Sequence, residues 1–198
     1  GTAGWIVTYY LSTSNECINV STDDIPIIGV GEGTTGKFLD IFKMDPVEML
    51  VSMDALPKLG IKFEGWSTNK SSFYSPIDGT PTAEKFIDYT VLSSGPVGRH
   101  ISMMENDKSN FFIDHPHIAC DYNQHGLHID AYKTSEFFKS KCDNVPHYNA
   151  KVVKVNRELG HIKSIDLDNG ERLEADLFID CSGFSRVLQH NIDWVDYS

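Results

Sequence analysis

Three strand-like runs occupy residues 150–156, 161–167 and 172–180, and Asp168-Asn169-Gly170 joins the last two. Asn-Gly tolerates positive φ at both central positions of a two-residue turn, so this tripeptide is a strong hairpin signal. A meander of antiparallel strands is the expectation that most narrows the fold. The third run is predicted to continue through Leu177-Phe178-Ile179, a short, fully apolar stretch typical of a buried strand. It leads into Asp180-Cys181-Ser182-Gly183, whose small side chains would let a flat ligand lie close to the backbone. A simple strand-to-loop exit is the plainer alternative.

The rest of the chain mixes helices with strands, which makes the expected class α/β. Gly1-Thr2-Ala3-Gly4 is a glycine turn running into a helix that reaches Tyr10. Residues 17–20 form a short strand, and 25–36 a loop rich in Gly and Thr. Apolar residues at near-helical spacing between 37 and 55 (Phe38, Leu39, Phe42, then Val47, Met49, Leu50, Met53) predict two short helices broken at Asp45-Pro46. Pro46 suits a first helical turn. Leu59, Ile61 and Phe63 alternate with Lys62 and Glu64, which predicts a strand over 59–66. A loop over 67–81, a helix over 82–93 and an irregular stretch over 95–110 complete the middle. Asp130 can cap a helix over 131–142 whose apolar face carries Ala131, Phe137, Phe138 and Cys142. Both ends of the chain read as cut.

Charge and composition exclude several functions. A formal charge of −11 repels phosphate backbones, so no nucleic-acid partner is expected. No apolar run approaches the roughly 20 residues that a membrane span needs. The first residues lack the basic region of a signal peptide, and a cytoplasmic location is expected. The four cysteines, Cys17, Cys120, Cys142 and Cys181, form no CxxC and are expected to be free, buried thiols. His115, His117, Cys120, His125 and His128 are metal-ligating types, but their spacing around Pro116 matches no zinc pattern. No metal is expected, and the five side chains are not expected to converge. Cys181-Ser182 lacks a G-x-S-x-G elbow or a partnered histidine, which argues against acyl transfer.

Gly1 and Gly4 have the spacing of the last two glycines in a GxGxxG dinucleotide fingerprint. Taken alone they also fit an ordinary glycine turn. Five segments together resemble the flavin-dependent tryptophan halogenases. Gly-Thr-Ala-Gly-Trp (1–5) is similar to that family's FAD fingerprint, and Gly29-Val30-Gly31-Glu32-Gly33-Thr34 resembles the G-V-G-E-A-T strap that covers the flavin. Residues 58–66 (Lys-Leu-Gly-Ile-Lys-Phe-Glu-Gly-Trp) resemble its F-K-L-G-I-x-F-x-x-W segment, and His128-Ile129-Asp130-Ala131 its H-F-D-A. Residues 175–184 match its A-D-L-F-I-D-C-S-G-F. The five occur in the family's order across nearly the whole chain.

The resemblance implies a Rossmann-like FAD-binding fold of the two-dinucleotide-binding flavoprotein type, with a β-meander and truncated at both ends. FAD would be held by two segments, about 1–36 and 130–198, with a substrate-side insertion over about 37–129. The implied cofactor contacts are Gly1, Thr2, Ala3, Gly4, Gly29, Val30, Gly31, Glu32, Gly33, Val153, Asp180, Ser182 and Gly183. The implied chemistry uses FADH2 from a separate, transiently bound flavin reductase, with O2 and halide as co-substrates, to make hypohalous acid. A lysine presents the electrophilic halogen to a small, indole-like or other electron-rich aromatic substrate. In this chain that catalytic lysine is Lys58. A lysine between apolar neighbours suits the role, because its compact ammonium donates hydrogen bonds from a flexible stem. By residue type alone it is a surface lysine at a strand start, and the catalytic role comes from the resemblance. The family also leaves room for a homodimer.

The chain departs from the family pattern at several positions. Pro57 stands for the usual Phe, Gly33 for the strap's Ala, and Ser75-Pro76 for a common His-Pro pair. Ser21 stands where a ribose-binding Glu is usual, with Asp23 and Asp24 nearby as substitutes. These changes bear on the substrate pocket and the adenosine contacts more than on the flavin chemistry. Two rivals remain: an FAD-dependent monooxygenase that hydroxylates or epoxidises without needing Lys58, and a non-catalytic flavin-binding fragment.

Overall fold

The computed structural model describes residues 1–29, 31–42, 44–65, 72–77, 96–109, 111–112, 117–118, 126–189 and 195. In chain order the helices are α1 (Thr2–Ser12), α2 (Lys37–Phe42), α3 (Pro46–Ser52), α4 (Pro96–Glu105) and α5 (Ala131–Ser140). The strands are β1 (Asn19–Ser21), β2 (Glu32–Gly33), β3 (Leu56–Lys58), β4 (Gly60–Glu64), β5 (Ser72–Pro76), β6 (Phe111–Phe112), β7 (His117–Ile118), β8 (Gly126–Ile129), β9 (His147–Asn149), β10 (Val152–Glu158), β11 (His161–Leu167) and β12 (Arg172–Glu174). Two compact units result: Gly1–Ile28 with Phe138–Ser198, and Gly29–Phe137. No described helix is long and apolar enough to cross a membrane.

In the first unit β1 pairs in parallel with β9, Asn19 opposite His147 and Ser21 opposite Asn149. Trp5, 5% exposed, packs edge-on to His147 with ring centroids 5.0 Å apart, which anchors α1. The meander β10-β11-β12 follows, antiparallel throughout. Its core is Ala150, Ile165, Leu167 and Leu188, with Val20, Val155 and Phe178 packed around it. A turn forms at Asp168-Asn169-Gly170 as expected, but as a three-residue loop: Leu167 N donates to Glu171 O at 2.9 Å, Gly170 N donates to Leu167 O at 3.0 Å, and Gly170 has positive φ (89°) while Asn169 does not.

The first turn of the meander carries a local cost. Glu158 pairs with His161, so Leu159 and Gly160 form a two-residue loop at φ 50° and 85°. Positive φ at both positions favours Asn-Gly, and a leucine there strains against its own Cβ. Leu159 is 94% exposed and recovers nothing by burial. Leu159→Asn should therefore stabilise the chain by about 1 kcal/mol, read as a raised urea midpoint at constant m-value.

The third run corrects an expectation. β12 ends at Glu174, and residues 177–179 are not a strand: Leu177 is 73% and Ile179 48% exposed. Among the described residues no strand runs beside them, and apolar composition alone supplies no hydrogen-bonding partner. Cys181 is likewise exposed and Cys17 half-buried, so of the described cysteines only Cys142 is the buried thiol expected.

In the second unit the two helices broken at Pro46 form as expected. Asp45 caps α3 by accepting from Val47 N at 3.0 Å. Met49, Leu50 and Met53 are almost fully buried. Asp130 caps α5 through Lys133 N at 2.8 Å. Several elements differ from the expectation: β2 forms inside the expected loop over 25–36, and β6, β7 and β8 have no counterpart in it. β3 precedes the expected strand, β5 pairs with β4 in what was read as loop, and α4 occupies the stretch read as irregular. α4 lies against β4, where Met104 and Ser75 O leave no room for a side chain at Gly60. The helix expected over 82–93 lies outside the described residues.

Candidate functional site

The strand β8 is the middle of a three-stranded antiparallel sheet, with β2 on one side and β3 on the other. Gly33 faces His128, Leu56 faces His128, and Lys58 faces Gly126. Paired residues share a face, and residues two apart on a strand share it too. Lys58, Gly33 and His128 are therefore on the same side of this sheet. The half-buried Lys58 reaches from one edge strand across β8 to the other: a Cβ built on Gly33 would lie 2.7 Å from Lys58 Nζ. The lysine expected to be catalytic and a glycine of the strap are thus brought together.

Two groups near Lys58 were not singled out as site residues. His128 entered only in the H-I-D-A segment and as a rejected metal ligand. Burial, and after it the Lys58 charge, hold its imidazole below the ordinary value, so it is neutral near pH 7 and does not repel the amine. Gly126 opens β8 directly beneath the strap, with Thr34 O 2.1 Å from where its Cβ would be. Thr34 N donates to Leu127 O at 2.8 Å, and Leu127 N donates to Thr34 Oγ1 at 2.9 Å. A glycine at a strand start is the available signal for such a close backbone approach.

The other expected contacts belong to the first unit. α1 begins at Thr2 with Gly1 as N-cap, no side chain caps it, and its first turn carries no acidic residue. A helix N-terminus with no acidic residue in its first turn is the arrangement that suits a phosphate. Gly4 lies against Cys181, an added Cβ being 3.8 Å from Cys181 Cβ, so the N-terminal turn meets the 180–183 segment. The backbone is open at Gly1 and at Gly183, where nothing lies within 4 Å of an added Cβ. Beside Gly4, the buried Asn19 gives its amide N–H to Thr8 Oγ1 at 2.8 Å, and its Oδ1 has no partner. Small residues, open backbone and an unsatisfied buried polar atom fit a dinucleotide here. Val153 sits where β10 slips register against β11 and is 62% exposed, a bulge that turns its side chain outward.

Asp180 and Ser182 have a structural task as well. Asp180 accepts from Ser182 N at 2.9 Å, from Ser182 Oγ, and from Leu188 N at 2.8 Å, and Ser182 Oγ accepts from Val187 N at 2.9 Å. This network shapes the loop around the 3-10 turn Gly183–Ser185. Desolvation, then the Asp180 charge, push the Cys181 thiol upward, which keeps it protonated and unfit as a nucleophile. Ser21 meets His147 Nε2 at 2.9 Å, while Asp23 accepts from Asn149 and Asp24 pairs with Lys151 at 2.6 Å. Among the described residues no group of His, Cys, Asp and Glu could hold a metal. His115, Cys120, His125 and Val30 lie outside those residues.

Comparison with known proteins agrees with this architecture. The family model for tryptophan halogenase matches residues 1–198. The chain is similar to tryptophan 7-halogenase RebH of Lentzea aerocolonigenes, 27% identical over 95% of this chain and 42% of that protein. It is also similar to tryptophan 6-halogenase ThaL of Streptomyces albogriseolus, 25% identical over 95% of this chain and 42% of the relative. The structure of tryptophan 6-halogenase SttH from Streptomyces toxytricini superposes with a TM-score of 0.78 at 22% identity, over 100% of this chain and 46% of that one. The chain thus spans less than half the length of the relatives it matches. Its fold is the α/β fold of the flavin-dependent halogenases, and the chain belongs to the tryptophan halogenase family.

Proposed function

We propose that this chain carries the FAD-binding segments and the catalytic lysine of an FADH2-dependent halogenase acting on an indole-like or other electron-rich aromatic. The observation that carries this reading is the Lys58 amine laid across the sheet against the strap strand at Gly33. The N-terminus of α1, Gly1 to Gly4 and the 180–183 segment would hold the cofactor, as would Val153 and the strap residues Gly29, Val30, Gly31, Glu32 and Gly33. Segments 1–36 and 130–198 would then serve FAD, and 37–129 the substrate. Reduced FAD, when bound, supplies with O2 and halide the hypohalous acid. Lys58 donates a hydrogen bond to that acid, polarises the oxygen–halogen bond and holds the electrophile for the arene. A cytoplasmic enzyme served by a transient flavin reductase, and able to form a homodimer, completes the proposal.

The test is halide dependence. The full-length enzyme, supplied with a flavin reductase, FAD, bromide or chloride and a panel of indoles, should give halogenated arenes by mass spectrometry only when halide is present. An oxygenated product formed equally well without halide would instead establish a monooxygenase.

A further inference from the structure

We propose that the Ser21 hydroxyl, backed by His147, holds the adenosine ribose of FAD in this chain, in place of the carboxylate that usually does so. The inference rests on the FAD-binding reading above. In open α/β sheets a dinucleotide lies beyond the carboxyl ends of the parallel strands, and its ribose is taken by an acidic residue about 20 residues past the glycine turn. Ser21 stands at that point, as the last residue of β1, which runs parallel to β9. The chain has a hydroxyl there instead of a carboxylate.

The hydroxyl is held in place by its own unit. Asn19 and Ser21 are two apart on β1 and share a face. Asn19 bonds Thr8 of α1, and its amide nitrogen is 3.9 Å from a Cβ added at Gly4, so that face lies under the glycine turn. Ser21 Oγ meets His147 Nε2 at 2.9 Å, and the His147 ring is fixed edge-on against Trp5. Burial, and after it the Lys139 charge, hold this imidazole below its ordinary value, so near pH 7 it is neutral. In one tautomer Ser21 donates to Nε2 and accepts from a ribose hydroxyl; in the other it accepts from Nε2–H and donates to one. The two nearby carboxylates are engaged elsewhere. Asp23 N donates to Asn149 Oδ1 at 3.1 Å while its carboxylate accepts from Asn149 Nδ2 at 2.8 Å, and Asp24 holds Lys151 at 2.6 Å. Both aspartates are exposed, whereas Ser21 is half-buried.

The test compares FAD with its 2′-deoxyadenosine and 3′-deoxyadenosine analogues on the full-length enzyme, by calorimetric titration. One hydrogen bond between neutral groups corresponds to roughly three- to tenfold in affinity, so the parent should bind at least one analogue more weakly than FAD by that factor. Ser21→Ala should weaken FAD binding by the same factor and no longer tell FAD from that analogue. His147→Phe keeps a ring against Trp5 but leaves the hydroxyl without its partner, and should lose part of the discrimination. Asp23→Asn and Asp24→Asn should keep all of it. Equal binding of FAD and both analogues by the parent overturns the proposal, and that result needs no variant to fold. Discrimination that survives in Ser21→Ala overturns it as well. So does discrimination that vanishes in either aspartate variant, because a carboxylate then holds the ribose. Full discrimination in His147→Phe overturns the part given to His147. A parent that binds no FAD loses the cofactor reading itself, whereas one that binds FAD without using Ser21 loses this inference alone.

Discussion

Lys58→Ala in the full-length enzyme should lose halogenated product by at least about 10²–10³-fold, the range seen when a donor to a developing charge is removed. It should still bind FAD and consume reduced flavin and O2, because the flavin chemistry upstream of the hypohalous acid does not need the lysine. The fold should survive as well: the side chain is only half-buried, and the near edge of its contact is a flexible stem over Gly33. Lys58→Arg is the informative companion. Its charge is retained, but a planar, forked guanidinium replaces a compact ammonium donor. Activity should remain low, which separates a requirement for a compact donor from a requirement for charge. A monooxygenase would keep most of its turnover in both variants. Halogenated product at a near-normal rate from Lys58→Ala would end the assignment.

Local chemistry was legible in the sequence wherever one residue type does one local job. Asn169-Gly170 marked its turn, Pro46 and Asp45 marked the start of α3, and Asp130 marked the cap of α5. What failed was non-local. Leu177-Phe178-Ile179 has the composition of a buried strand, but a strand exists only if another strand pairs with it. Ser72-Phe73-Tyr74-Ser75-Pro76 lacks clean alternation and so carries no strand signal, yet β5 is specified by its partner: Phe73 stacks on Phe63 across the hairpin, ring centroids 4.9 Å apart. α4 carries apolar residues at helical spacing, Val97, Ile101 and Met104, but it is polar on average and holds Gly98, which masks the signal. The site divides in the same way. Lys58 and Gly33 were each found through a matched segment, but 25 positions separate them. Only the register through β8 puts them together, and no pattern in the linear sequence states a register.

Gly126→Ala should be the most damaging single methyl in this unit. Its Cβ would lie 2.1 Å from Thr34 O and 3.0 Å from Thr34 C, far inside contact, and both atoms are backbone. A carbonyl cannot rotate away as a lysine end can. Thr34 is also held in place from both directions, its N–H on Leu127 O and its hydroxyl under Leu127 N. Relief requires β2 to lift from β8, which breaks those two hydrogen bonds beside a fully buried Leu127. Overpacking costs about 1–3 kcal/mol and each lost hydrogen bond about 1 kcal/mol more, so a loss of about 3–5 kcal/mol is expected, measured as a fall in the urea midpoint. The contrast with Gly33→Ala on the neighbouring strand makes the test discriminating. Both variants add one methyl to a glycine of the same three-stranded sheet, and neither glycine has positive φ. One methyl meets a backbone and should cost stability. The other meets the flexible end of a lysine, which can move aside, and should cost little stability. If Gly126→Ala unfolds at the same urea concentration as the parent, the strap is not seated on β8 as described. The Gly33–Lys58 contact would lose its geometric basis with it, because β2 reaches that face of the sheet only through its pairing with β8.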